Sequence, residues 1–380
     1  MIPRPPTLWR GGICVLALAG CGIEPGSSGP AWRWGGEPVA LVLTVSNDFS
    51  AGAFGVLDLA SRNPVSDLGW AGTDAVVRVI DGALYLIHRS GDPLEADSVR
   101  RLDPADGFRT LWQTSTDPGS NPQDIAGSAD GSLLVSRYAS AELLRLDPAT
   151  GERLGTVDIS LCADKDGVPE ASALASTADG RVLVACQRLD RAADLGPTER
   201  SELCIVDADG GVTARPLAGT NPFTRFVPDP AAGGWLLGMA GSTLETEGGA
   251  GVERVGPDGN SLGLVAREED LGGSVLRLAL SRDGSVGWAI VNVSVDPANL
   301  VTYTHLVTFD VASGQRTRTV LEPESYVLWD VAIGPSDEVL VSDRHFDAPG
   351  LRVFDANSAE ELTEAPIDMG LPPSEISFLP

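Results

Sequence analysis

Histidine is nearly missing from this chain, with three in 380 residues. His88 and His345 fall at the ends of comparable apolar strands and His305 inside a different one, so a three-histidine metal site is not expected. Long apolar runs are missing as well. Beyond the N-terminal segment none approaches the roughly 18 residues that a membrane-spanning helix needs. No phosphate-binding loop, dinucleotide fingerprint or C-x-x-C-H haem attachment occurs, which weakens the case for kinase, dehydrogenase and c-type cytochrome chemistry. No helical periodicity of useful length is present, which argues against an α/β alternation. Positive charge is outweighed, and the formal net charge of −26 would repel phosphate backbones and anionic lipid head groups. Nucleic acid is therefore not an expected partner.

What is abundant is turn chemistry. There are 44 Gly and 27 Pro beside 43% hydrophobic residues, which suits a sizeable core made of many short strands. An apolar strand ending in Asp, followed by a Gly, Ser, Asn or Pro turn, recurs as "FGVLDLASRN", "VRRLDPADGF", "LLRLDPATGE", "LCIVDADGGV", "LVTFDVASGQ" and "LRVFDANSAE", with a degenerate copy "VERVGPDGNS". The anchors are Asp58, Asp103, Asp147, Asp207, Gly256, Asp310 and Asp355, at spacings of 45, 44, 60, 49, 54 and 45 residues. Periods of this size signal a propeller or solenoid. Each copy is preceded by an apolar hairpin with an Asp-Gly-like turn, such as "IAGSADGSLLVSR" and "ALASTADGRVLVAC". One repeat thus reads strand A, turn, strand B, loop, strand C, Asp turn, strand D, the four antiparallel strands of a propeller blade.

The chain ends complete the count. "PPSEISFLP" reads as a lone strand A and "PVALVLTVSNDFSAGAFGVLDLAS" begins at strand B, so the two ends share one blade and close the ring. The expected fold is all-β: a seven-bladed β-propeller over residues 38–380. The Asp series is expected to be structural, because Asp opening a turn can bond the backbone two residues on.

The first residues read as a processing segment rather than structure. "MIPRPPTLWR" is basic, "GGICVLALAG" is a short apolar run, and both precede Cys21. "LAGC" resembles the lipobox of bacterial lipoproteins. That resemblance implies removal of residues 1–20 and acylation of Cys21 with palmitate-type chains, which would hold the protein to a membrane without a transmembrane helix. Gly22 follows the cysteine, where in such lipoproteins Asp favours inner-membrane retention, so the outer membrane is the expected address in the cell envelope. Residues 21–37 read as a Gly/Ser/Pro-rich tether, within which "AWRW" offers an alternative as an interfacial foot.

"NPQDIAGSADGSLLVSRYASAELLRLDPATGE" and "VAIGPSDEVLVSDRHFDAPGLRVFDANS" resemble the YVTN-type, quinoprotein-like propeller repeat. The resemblance implies fold far more than activity, since such repeats occur in surface proteins, lactonases, lyases and quinoprotein relatives. WD-repeat identity is not supported, because Trp329-Asp330 opens a strand A instead of closing a strand C.

In a propeller the strand A starts and the B–C loops share one face around the channel mouth. Asp124, Arg225, Arg277, Asp330 and Glu375 stand at strand A starts, with Glu170 or Ser172 in blade four. Arg344 and His345 reach the same face from the end of a strand B. Charges of both signs converging there suit a small polar ligand, a metal ion or a loop of a partner protein. "SDRHFD" contains Asp343, His345 and Asp347 but is read as a solvated loop, so no metal site is expected and no cofactor is implied. The favoured function is a binding or scaffold module; the alternative is a lactonase-like hydrolase or lyase using Arg, His and carboxylates at that face. Charge reversal at Arg277 with Asp330 is expected to abolish binding and leave the fold intact. Of the remaining cysteines, Cys186 and Cys204 face each other if their hairpin folds about residue 195, and a disulfide is expected between them.

Overall fold

The computed structural model describes residues 32–89, 96–192, 196–198, 200–242 and 249–380; Cys21 and its lipobox-like surroundings lie outside them. The chain forms a seven-bladed propeller of antiparallel blades. The innermost strands A run Pro373–Leu379, Ala75–Ile80, Pro122–Gly127, Ala171–Ser176, Val227–Asp229, Ser274–Leu280 and Leu328–Ile333 in blades 1 to 7. In blade 1 the C-terminal strand pairs with Val39–Val45, from Leu379 opposite Val39 to Glu375 opposite Leu43, as the two half-blades at the chain ends require. Blade 7 keeps three long strands, and two isolated bridges, Leu351–Ile367 and Phe354–Glu361, stand in for its fourth. Among the described residues no helix is long and apolar enough to cross a membrane.

The core follows from the strand pattern. Strand B of each blade lies between two neighbours, so both of its faces must be apolar. "VLVAC" shows the consequence: Val182, Val184 and Cys186 pack toward blade 3, while Leu183 and Ala185 pack toward blade 5. Every blade-to-blade interface carries its own cluster of this kind. Outermost strands are left in water; Arg153–Asp158 is exposed at all but one position.

The Asp turns are built as the repeat implies. Asp147 Oδ1 accepts the backbone N–H groups of Ala149 and Thr150, each at 2.8 Å. Asp310 holds Ser313 N at 2.7 Å and Asp355 holds Ser358 N at 2.7 Å in the same way. Gly151 then takes φ +73°, and a Cβ there would stand 2.6 Å from the Trp112 ring of the preceding blade, so this turn admits only glycine. Hydrogen bonds from the turn amides, and for Asp310 the Ser313 hydroxyl ahead of its amide, hold the Asp58, Asp147, Asp310 and Asp355 carboxyls below their ordinary range. The serine hydroxyls and amide facing Asp48, and the Arg181 and Thr177 side chains facing Asp179, hold those two at about 2. A carboxyl lowered in the folded state stabilises fully above its unfolded value near 3.8 and loses that contribution as pH falls through the folded value. The melting temperature is therefore expected to drop steeply between about pH 4 and pH 2. In Asp147→Ala the drop should be shallower and the neutral-pH melting temperature lower, as calorimetry across that range would show.

The expected Cys186–Cys204 disulfide is corrected. Cys162 is bonded to Cys204, with Cα atoms 6.0 Å apart, and Cys186 is a free buried thiol. The hairpin register explains it: Cys186 faces Glu202 and Cys204 faces Val184, so the two cysteines are diagonal rather than opposite. Cys162 arrives over the same sheet face on the short 3-10 turn Ser160–Cys162.

The packed chain also begins earlier than residue 38. Trp32 stacks on Phe108 at 5.2 Å between centroids, and Trp34 N donates to Pro104 O at 3.0 Å, so the tryptophans of "AWRW" rest on the C–D turn of blade 2.

Candidate functional site at the channel mouth

Strands A do not run straight. In blades 1, 3, 4, 6 and 7 the A–B register slips by one residue at comparable height, each time with the extra residue on strand A. A bulge of this kind re-aims a side chain. It stands at or beside Glu375, Asp124, Ser172, Arg277 and Asp330, which explains why these residues reach the channel although they lie within strands that are otherwise apolar.

Five of the sequence-derived candidates meet in one row of alternating charge, Asp124–Arg78–Glu375–Arg225–Asp330–Arg277. Arg78 spans Asp124 at 2.5 Å and Glu375 at 2.6 Å; Arg225 touches both Glu375 and Asp330; Arg277 Nε stands 3.5 Å from Asp330. Arg78 was not among the candidates. Its signal is a single charge inside "VVRVI", two residues deeper than the strand starts that the repeat alignment draws attention to.

The carboxylates have a second set of partners. Asp124 accepts Leu174 N at 2.8 Å, Asp330 accepts Ile376 N at 2.8 Å and Glu375 accepts Val77 N at 3.2 Å. Each acid therefore ties its own innermost strand to the innermost strand of the next blade. All three acids are buried. Burial pushes the Asp330 carboxyl up against the pull of Arg225 and Arg277, while for Glu375 burial is outweighed by Arg225 and Arg78, which together hold it down. The arginines are less enclosed: the side chains of Arg225 and Arg277 each keep 36% of their surface exposed.

Above this row lies a cavity of about 810 Å³, lined by Arg78, Arg89, Arg225 and Arg277, with Phe49, Phe223, Trp329 and Tyr138 at its upper edge. Arg89 pairs with Asp74. Burial pushes the Tyr138 hydroxyl up to about 12, so it stays a proton donor at neutral pH. None of the residues lining this cavity is a histidine.

The other candidates sit elsewhere. Arg344 is buried beside the mouth, its guanidinium 4.3 Å from the centre of the Trp329 ring, donating to Pro372 O at 3.1 Å. Among the described residues it has no carboxylate partner, and burial lowers its pKa to about 10. It supports the aromatic rim rather than lining the cavity. His345 stays on its exposed loop, but Ser342, Asp343 and Arg344 are buried and Asp343 is engaged with His345 N and Arg352, so only the second half of "SDRHFD" is solvated. Glu170 is held by Arg191 and Leu189 N, whereas Ser172 reaches the cavity.

No protein-family profile matches the chain, and no curated protein matches it. Solved structures do. A quinonprotein alcohol dehydrogenase-like protein from Bacteroides thetaiotaomicron matches at TM-score 0.58 with 13% identity, covering 89% of this chain and 78% of that one. The periplasmic gluconolactonase of Pseudomonas aeruginosa matches at TM-score 0.51 with 16% identity over 90% of this chain and 99% of that one. A catalytically inactive virginiamycin B lyase from Staphylococcus aureus, with quinupristin, matches at TM-score 0.53 with 10% identity over 88% and 90%. Likeness at this level shows the propeller fold and nothing of the activity.

Proposed function

We propose that the upper cavity binds a small polar ligand carrying at least one negative group, and that the protein is a binding module of the cell envelope. One observation carries this reading. The acids on the axis are engaged by the backbone of the next blade, whereas Arg225 and Arg277 present guanidinium surface to the cavity. Low-dielectric walls strengthen such cations toward an anion relative to open surface. A thermal-shift screen of small carboxylates and sugar phosphates tests it, since a ligand at a hundred times its Kd stabilises by about 2.7 kcal/mol. Anions are expected to raise the melting temperature of the wild type. Arg277→Glu should weaken that binding at least tenfold while the unliganded melting temperature stays within a few degrees. Hits that are all cationic, or anion binding that survives the substitution, would refute the reading.

The enzyme alternative draws support from the gluconolactonase and lyase neighbours. Against it stands the cavity lining, which holds no histidine and whose acids are occupied. Turnover of gluconolactone above the uncatalysed rate would decide for the enzyme.

The envelope address rests on "LAGC". Cys21→Ala is expected to move the protein into the soluble fraction with its melting temperature unchanged. Persistent membrane association after a high-salt wash would count against acylation at Cys21.

A further inference from the structure

The row of charges divides the channel. Below it, toward the face of the A–B and C–D turns, lies a second cavity of about 570 Å³, formed by blades 5, 6, 7 and 1. Its walls are of another kind. Leu278, Leu280, Val331, Ile333 and Phe378 line it, and its outer edge is made by the A–B turns at Pro230, Arg282 and Pro335. At its inner end stand Arg225 and Arg277, the same two arginines that floor the upper cavity. Asp330 is the one carboxylate among its lining residues, and that side chain already accepts Ile376 N and both guanidiniums. Arg277 donates Nη1 to Leu276 O at 2.8 Å and stands with Nε 3.5 Å from Asp330 as an ion pair, so its Nη2 is turned to neither partner and can serve an acceptor in the channel.

We infer that this lower cavity is a second binding site, for an amphiphile with a single negative head group of the medium-chain carboxylate type. An apolar body would lie along the leucine, valine and isoleucine side chains, and the carboxylate would accept from Arg277 at the inner end. The volume falls in the usual range for ligand pockets, roughly 300–1,000 Å³, where apolar walls hold the body and a few polar groups set its orientation. Burying the methylenes of such a chain against these walls is favourable, so it has enough apolar surface to bind. A cation at the inner end selects against the uncharged and positively charged analogues, because placing the head group there without its partner is costly. The site shares Arg277 with the upper cavity, so an anion bound above would compete with the carboxylate for that guanidinium.

Isothermal titration with decanoate, decanol and decylammonium tests the inference. Decanoate is expected to bind with one-to-one saturation, decanol at least tenfold more weakly and decylammonium not at all. Ile333→Trp and, separately, Ser377→Trp should fill the cavity and remove decanoate binding; both positions are only partly buried, and a retained melting temperature shows that each variant is folded. Arg277→Gln should erase the preference for decanoate over decanol. Phe223→Ala, on the upper rim, should change none of this, which separates a failure here from a failure of the upper site. Decanoate and decanol binding equally well, or decanoate binding undiminished in both tryptophan variants, would overturn it.

Discussion

Asp330→Ala is expected to destabilise the propeller by about 3–5 kcal/mol, the usual cost of removing one partner of a buried ion pair. Three interactions are lost together: the acceptor for Ile376 N, the contact to Arg225 and the contact to Arg277. The first of these joins blade 7 to Pro373–Leu379, the strand that closes the ring by pairing with Val39–Val45. Urea unfolding should show a lower midpoint, and Asp330→Asn should recover part of the difference because its amide oxygen can still accept from Ile376. Loss of less than 1 kcal/mol in Asp330→Ala would mean that the acid is a ligand group after all. The structure thereby revises the expectation that Arg277 and Asp330 can be reversed together at no cost to the fold. Arg277 belongs to the cavity, and Asp330 belongs to the frame.

Cys162→Ser is the second large effect. The Cys162–Cys204 bond closes a loop of 42 residues, and loop-closure entropy for that length amounts to about 4 kcal/mol as an upper figure. Cys186→Ser should cost much less, since its thiol packs as a small apolar group whose pKa burial pushes up to about 12, keeping it protonated. Non-reducing peptide mapping should find Cys162 linked to Cys204 and Cys186 free to alkylate after denaturation. A Cys186–Cys204 link in the native protein would contradict the strand register that sets the two cysteines on a diagonal.

The fold was readable because its signals are local and repeated. The Asp turn after strand C recurs in almost every blade and needs only near neighbours to form, as Asp147 with Ala149 and Thr150 shows. The half-blades at the two ends follow from the same count. The site was legible in its membership and not in its division of labour. Residues one period apart could be seen to meet at the axis. That Asp124, Asp330 and Glu375 would each accept an amide from the neighbouring blade could not, because those contacts span 50, 46 and 298 residues and depend on a bulge that no turn residue announces. Arg78 escaped for a related reason: it lies mid-strand, where repeat alignment expects core. The cysteine pairing failed on a one-residue difference in where the hairpin is centred, which is enough to turn opposition into a diagonal.

The shared blade also bears on how the molecule reaches its folded state. Ser374 Oγ bonds Leu43 O across 331 residues, and contacts of such separation form late, because the intervening chain must be ordered before they hold. Until then the assembled blades make an open arc, and Val39–Val45 stands along its end with an unpaired backbone edge of seven apolar or β-branched residues. An arc in that condition can pair with another copy as readily as with its own C-terminal strand. Refolding yield should therefore fall with protein concentration, and a peptide of residues 373–379 added in trans should restore part of it.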